Sequence, residues 1–222
     1  MGKTLKEKNQ PQLIAFVLMN GIGLGILLEG LKQVAFLLDG LTKGNIATLG
    51  RLVAVPSALA LLIGILSWAV PRRWKEILIF WRLDKNCLPS RRAFSMFALN
   101  DPRVDRRRLA SRCGPLPSDP AEQTHLWYSL YRKHSDNPAV DDAHCAYLRY
   151  REMTSLAATV LTVFLAVSIL VHPPFRTLLV GIFLVDAEYL LLLLAARNAA
   201  NHFVSNVLAI ESAGEGVRSV LA

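Results

Sequence analysis

The 222-residue chain has only three cysteines, no Asn-x-Ser/Thr sequon and fewer acids than bases, 17 Asp and Glu against 25 Lys and Arg. The cysteines, Cys87, Cys113 and Cys145, all fall in one central segment, which excludes the paired framework of a small secreted domain. The missing sequon disfavours a glycosylated secretory-pathway protein, and the wealth of Ala, Leu and Arg favours a bacterial source. Phosphate-loop chemistry is lacking too. Gly21, Gly23 and Gly25 sit inside an apolar run with no Lys-Ser/Thr after them and no strand before them, so they do not make a nucleotide site.

What the chain does have is hydrocarbon. Hydrophobic residues make up 53% of it and its mean hydropathy is +0.35, too apolar for an ordinary soluble domain of this length. They gather in four runs, at about 13–28, 52–70, 154–171 and 178–196, each near the length that crosses a bilayer. The first could extend through Glu29 and Lys32 to Leu38 as one tilted helix. Sixteen of the 25 basic residues lie in 72–151. Lys3, Lys6 and Lys8 precede the first run, whereas the two short opposite loops carry only Lys43, Arg51 and Arg176. By the positive-inside rule both termini and the central insert are cytoplasmic. The expected fold is an all-α integral membrane protein of the bacterial inner membrane: four transmembrane helices with a small helical insert between spans 2 and 3. Its parts are a tail and hairpin (1–71), a basic helical cap (72–152), and a second hairpin with a C-terminal amphipathic helix (153–222). Met1 to Leu28 has the charge and length of a signal peptide without a clear cleavage site, and reads as an uncleaved anchor.

Span 2 should run on past the interface, because Arg72, Arg73, Lys75 and Arg82 alternate with Trp74, Ile77, Phe80 and Trp81. Prolines then limit the insert to short helices, about 91–98 and 104–111, before a longer one at 121–133 capped by Ser118 or Asp119. After Asn137-Pro138 a helix near Val140 leads into span 3. Spans 3 and 4, joined by His172 to Thr177, form a tight hairpin. Past Ala196 a helical stripe of Ala199, Ala200, Phe203, Val204, Val207 and Leu208 continues. Its simplest reading is a projecting span 4 that self-associates; the other is a helix lying on the membrane or on the cap.

Asp186 carries the sharpest chemical signal, nine residues into the 19-residue run Leu178 to Ala196. An acid at the midplane normally faces protein, a partner or a water-filled path. Glu188 is turned roughly 200° from it, so one lipid-avoiding stripe does not hold both. Asn20, in the middle of span 1, is the nearest polar candidate to meet Asp186; Lys32 and Arg197 are the cations that would make the acids structural. Gly21 with Gly25, and Ala195 with Ala199, have the spacing that lets helices approach closely, as do Ala196 and Ala200. The segment 72–112 carries a net charge of +8, with Arg72, Arg73, Arg106, Arg107 and Arg108 as candidates for acidic lipid headgroups or another anionic ligand. Topology alone accounts for much of that charge, and no nucleic-acid-binding module accompanies it. His134, Asp136, Asp141, Asp142, His144 and Cys145 are dense in ligand types, but their spacing matches no established zinc pattern. His172 reads as a loop residue. No metal, cofactor or catalytic residue is therefore assigned.

The expectation is a homo-oligomeric channel or membrane-perturbing effector, in contact with the bilayer and gated through its cap by a cytosolic protein partner. In general design it is like the small membrane effectors of anti-phage defence. A non-conducting scaffold that recruits a cytosolic protein is the alternative, and a proton-coupled transporter the third reading.

Overall fold

The computed structural model describes residues 4–29, 46–83 and 87–214, and every regular element among them is helical. The first, α1 (Leu5–Glu29), begins earlier than the apolar run, for a local reason. Thr4 and Glu7 form a capping box: the Thr4 N–H donates to Glu7 Oε2 at 2.7 Å and the Glu7 N–H to Thr4 Oγ1 at 3.3 Å. The proposed extension through Lys32 to Leu38 lies outside the described residues.

Helix α2 (Ile46–Ala69) does not continue into the basic aromatic stretch as expected. It stops, and α3 (Arg72–Phe80) leaves at 97° to it. Pro71 is the cause: it has no N–H to donate and pushes Val70 out of helical geometry. The Val70 N–H closes a tighter turn onto Ser67 O, and Trp74 and Lys75 start a new helix by donating to Pro71 O. After α4 (Arg106–Cys113) and α5 (Pro120–Lys133) come two long helices, α6 (Pro138–Val171, 34 residues) and α7 (Phe175–Ala213, 39 residues). Among the described residues three helices, α1, α6 and α7, are long and apolar enough to cross a membrane; there are four if the bent pair α2 and α3 counts as one span.

The chain divides into two compact units, Met1–Leu78 with Arg151–Leu193, and Ile79–Tyr150 with Leu194–Ala222. In the first, Leu24, Leu59, Ile63, Val160, Phe164 and Val185 form a buried core. Close approach of α1 to α2 requires glycine at 21, where a Cβ would stand 2.7 Å from Pro56 O and 2.9 Å from Ala60 Cβ. Only His172, Pro173 and Pro174 separate α6 from α7, so the two run antiparallel, and Gly181 packs against the Phe164 ring.

The second unit builds its core from Phe94, Leu109, Trp127, Tyr147, Phe203 and Val207, with other buried residues around them. Asp105 caps α4 and Asp119 caps α5, each carboxylate accepting from two backbone N–H groups at 2.8–3.1 Å. The expected short helix at 91–98 is instead three successive geometries: a 3₁₀ turn (Pro89–Arg92), a π turn (Ala93–Phe97) and one α turn (Ala98–Asn100). The C-terminal stripe of α7 belongs to this unit. Its Phe203, Val204, Val207 and Leu208 are buried there, so within the chain that stripe is already covered and is not a free face for self-association.

Candidate functional site

The polar residues of the apolar helices separate onto two faces of α7. Glu188 is half-buried, and Asn20 Nδ2 donates to its Oε1 at 3.2 Å as well as to Phe16 O at 3.1 Å. Asn20 therefore meets Glu188 and not Asp186, because the two-residue offset turns Glu188 toward α1 and Asp186 away from it. Asp186 is exposed, beside the exposed Phe183 and Leu190, and among the described residues nothing bonds to its carboxylate. Arg197, one cation considered for it, donates Nε to Ile79 O at 2.7 Å. Lys32 lies outside the described residues.

Gly21 and Gly25 face Pro56 of α2, with a Cβ at Gly25 reaching Pro56 Cγ at 3.1 Å. Ala199 and Ala200 are buried in the second unit, Ala196 is buried, and Ala195 is half-buried.

The predicted basic residues face solvent or make local pairs. Arg72 Nε pairs with Glu76 at 2.8 Å, and Arg73 is exposed on the same short helix. Arg106, Arg107 and Arg108 are all exposed at the start of α4, where the Arg108 side chain reaches back to Asp105 at 3.3 Å. Such surface pairs contribute on the order of 0–1 kcal/mol. Arg103 is better placed, making Nε and Nη2 hydrogen bonds to Asp101 at 3.1 and 2.8 Å and an Nη1 bond to Asn206 at 3.0 Å.

The dense set from His134 to Cys145 is dispersed by the fold. His134 Nε2 sits 2.5 Å from Glu211 Oε2, while His144 Nδ1 shares a 3.1 Å hydrogen bond with the Tyr131 hydroxyl and its ring stacks on Phe203. Among the described residues no three His, Cys, Asp or Glu side chains come together as a metal site. His172 is exposed in the hairpin turn at φ 51°.

Two buried polar residues here were not singled out from sequence. Glu211 is 2% exposed and accepts from Lys133 Nζ through both oxygens at 2.9 Å. Its position four residues after Val207, on the apolar stripe, was the available signal. Gln123 is 1% exposed; its Oε1 accepts from the N–H groups of Phe94 and Ser95 and from Ser95 Oγ, while Nε2 donates to Ser118 O. It holds the π turn in place, and its spacing from Trp127 and Leu130 on α5 marks the same inward face.

Asp101 and Glu211 should make the second unit sensitive to acid. The Arg103 hydrogen bond beside Asp101 lowers its pKa to about 2. Burial pushes Glu211 up, but the Lys133 and His134 hydrogen bonds outweigh it and hold the carboxyl below its ordinary range. A carboxyl with a depressed folded pKa stabilises the fold above its unfolded value of about 4 and loses that contribution as pH falls through the folded one. The thermal midpoint of the second unit, followed by near-UV circular dichroism on the intact protein, should therefore fall steadily from about pH 5 toward pH 2. Asp101→Asn should flatten the lower part of that slope.

No protein-family model, curated protein or solved structure matches the chain.

Proposed function

We propose that the chain is a homo-oligomeric channel or membrane-perturbing effector of a bacterial inner membrane, with four spans and both termini cytoplasmic. The cap gates it, by itself or through a cytosolic protein bound there. The observation that carries this reading is the exposed Asp186. A carboxylate in the middle of a span costs about 2.5–3.5 kcal/mol per copy even on insertion scales, and nothing among the described residues offsets that. Copies that turn Asp186 toward a shared, water-filled axis remove the cost and create a ring of acids, which favours cations. The hydrogen bond that half-buried Glu188 accepts from Asn20 leaves Asp186 as the acid available for such a ring.

The test is the particle mass in nanodiscs together with cation flux in liposomes. The expected result is an assembly of about four or more copies that conducts cations, and an Asp186→Asn variant of unchanged mass with flux reduced at least ~10-fold. A monomer or dimer, or flux indifferent to Asp186→Asn, would remove the channel reading and leave the scaffold that recruits a cytosolic protein.

A further inference from the structure

Arg82, Arg92 and Arg197 converge on one pocket of about 260 Å³ in the second unit, lined also by Asn201, Phe80 and Phe97. Among the described residues lining it, none is acidic. Among the described residues no hydrogen bond or ion pair engages the side chain of Arg82 or Arg92. Arg197 donates its Nε to Ile79 O, and its guanidinium lies 5.1 Å from the Trp81 ring centre. Three guanidinium groups around one small cavity repel one another until an anion joins them.

Two departures from ordinary backbone bound the same pocket. Trp81, next to Arg82, has φ 51°, a left-handed conformation that a bulky aromatic adopts only under constraint. It sets its ring by Arg197 as the chain enters the pocket wall. On the other side the π turn Ala93–Phe97 follows Arg92 and supplies Met96 and Phe97 to the lining. A π turn is uncommon and frequently marks a functional site, and here the buried Gln123 fixes it through three hydrogen bonds. Strain, an uncommon turn and clustered positive charge thus coincide at one place.

We propose that this pocket binds a phosphate group carried on a small organic moiety. The phosphate oxygens take the arginine forks, which suit phosphate geometry better than lysine does. The attached moiety lies against Phe80, Met96 and Phe97. The volume is below the ~300 Å³ at which drug-sized pockets begin, so the occupant is no larger than a nucleoside monophosphate or the headgroup of one phospholipid. Neither source depends on whether the spans conduct.

The experiment has two arms, both on the full chain in phosphatidylcholine nanodiscs or in detergent. In the first, inorganic phosphate and adenosine 5′-monophosphate are titrated calorimetrically; in the second, native mass spectrometry counts the phospholipids retained after delipidation. A soluble ligand gives saturable binding in the first arm, and a headgroup gives a retained lipid in the second. In either case Arg82→Gln with Arg92→Gln should weaken or remove the signal at least ~10-fold, one charge-assisted contact being worth about that factor or more. Arg92→Lys, which keeps the charge without the fork, should fall between. Both arginines are exposed, so the unit should keep its thermal midpoint, and Arg92→Lys remains informative if the double variant does not. Wild-type protein that neither binds the soluble probes nor retains more lipid than the double variant would overturn the proposal, as would binding unchanged in every variant.

Discussion

Replacing Phe203 by alanine should lower the thermal midpoint of the second unit by roughly 15–30 °C, more than any exposed substitution in the same helix. Four aromatic rings meet this side chain. Trp127 and Tyr131 stand edge-on to it at 5.2 and 5.3 Å, and His144 and Tyr147 lie nearly parallel at 4.7 and 6.4 Å. Deleting a buried phenylalanine typically costs about 3–5 kcal/mol through lost transfer energy and the cavity left behind. Each edge-on or stacked ring pair adds about 0.5–1.5 kcal/mol beyond area burial. Against a total stability of about 5–15 kcal/mol, that loss removes much of what keeps α7 attached to α5 and α6. Near-UV circular dichroism would follow the aromatic cluster directly, and limited proteolysis would show the C-terminal turns of α7 released at lower temperature. Phe203→Leu should recover part of the loss, because it refills volume without the ring geometry. A shift below about 4 °C for the alanine variant would mean that the cluster is not what anchors the helix.

Phe203 also shows where sequence reading stopped. The stripe Ala199, Phe203, Val207 was visible at helical spacing, and so was the helix that carries it. Periodicity gives a face but not its partner: Trp127, Tyr131, His144 and Tyr147 come from helices 50 to 80 residues earlier, and nothing local pairs them with Phe203. The same limit explains the mid-span acids. Their roughly 200° separation followed from helix geometry, yet which one faced α1 depended on how α1 and α7 pack. The basic and apolar alternation after Ala69 pointed to one continuous helix; the observed 97° bend shows that the missing N–H of Pro71 prevails. Likewise the arginine run was plain in sequence. The trio that converges draws Arg197 from the far end of the chain, which a local charge count does not find.

Gly21→Leu should separate α1 from α2, whereas Gly23→Leu, two residues away on the same helix, should be nearly silent. The contrast comes from what each added side chain meets. At Gly21 a Cβ falls 2.7 Å from Pro56 O and 3.2 Å from Ala60 N, both backbone atoms that do not rotate aside; at Gly23 there is nothing within 4 Å. Overpacking usually costs about 1–3 kcal/mol where side chains adjust, and the rigid neighbour at Gly21 puts this case at or beyond the upper end. The loss also reaches the polar pair, since Asn20 is the adjacent residue and its 3.2 Å bond to Glu188 holds only while α1 stays seated. Half-buried Glu188 would then lose the Asn20 donor, which adds part of the penalty of an unpaired acid to the steric one. The measurement is the fraction of protein that survives heating in detergent as a monodisperse species, compared across the two variants and Asn20→Ala. If Gly21 and Gly25 instead served contacts between copies, Gly21→Leu would lower the particle mass and leave the stability of the single chain intact. Loss of thermal survival with Gly21→Leu, partial loss with Asn20→Ala and none with Gly23→Leu would assign the glycine face to the chain's own packing, leaving the Asp186 face of α7 as the surface available to another copy.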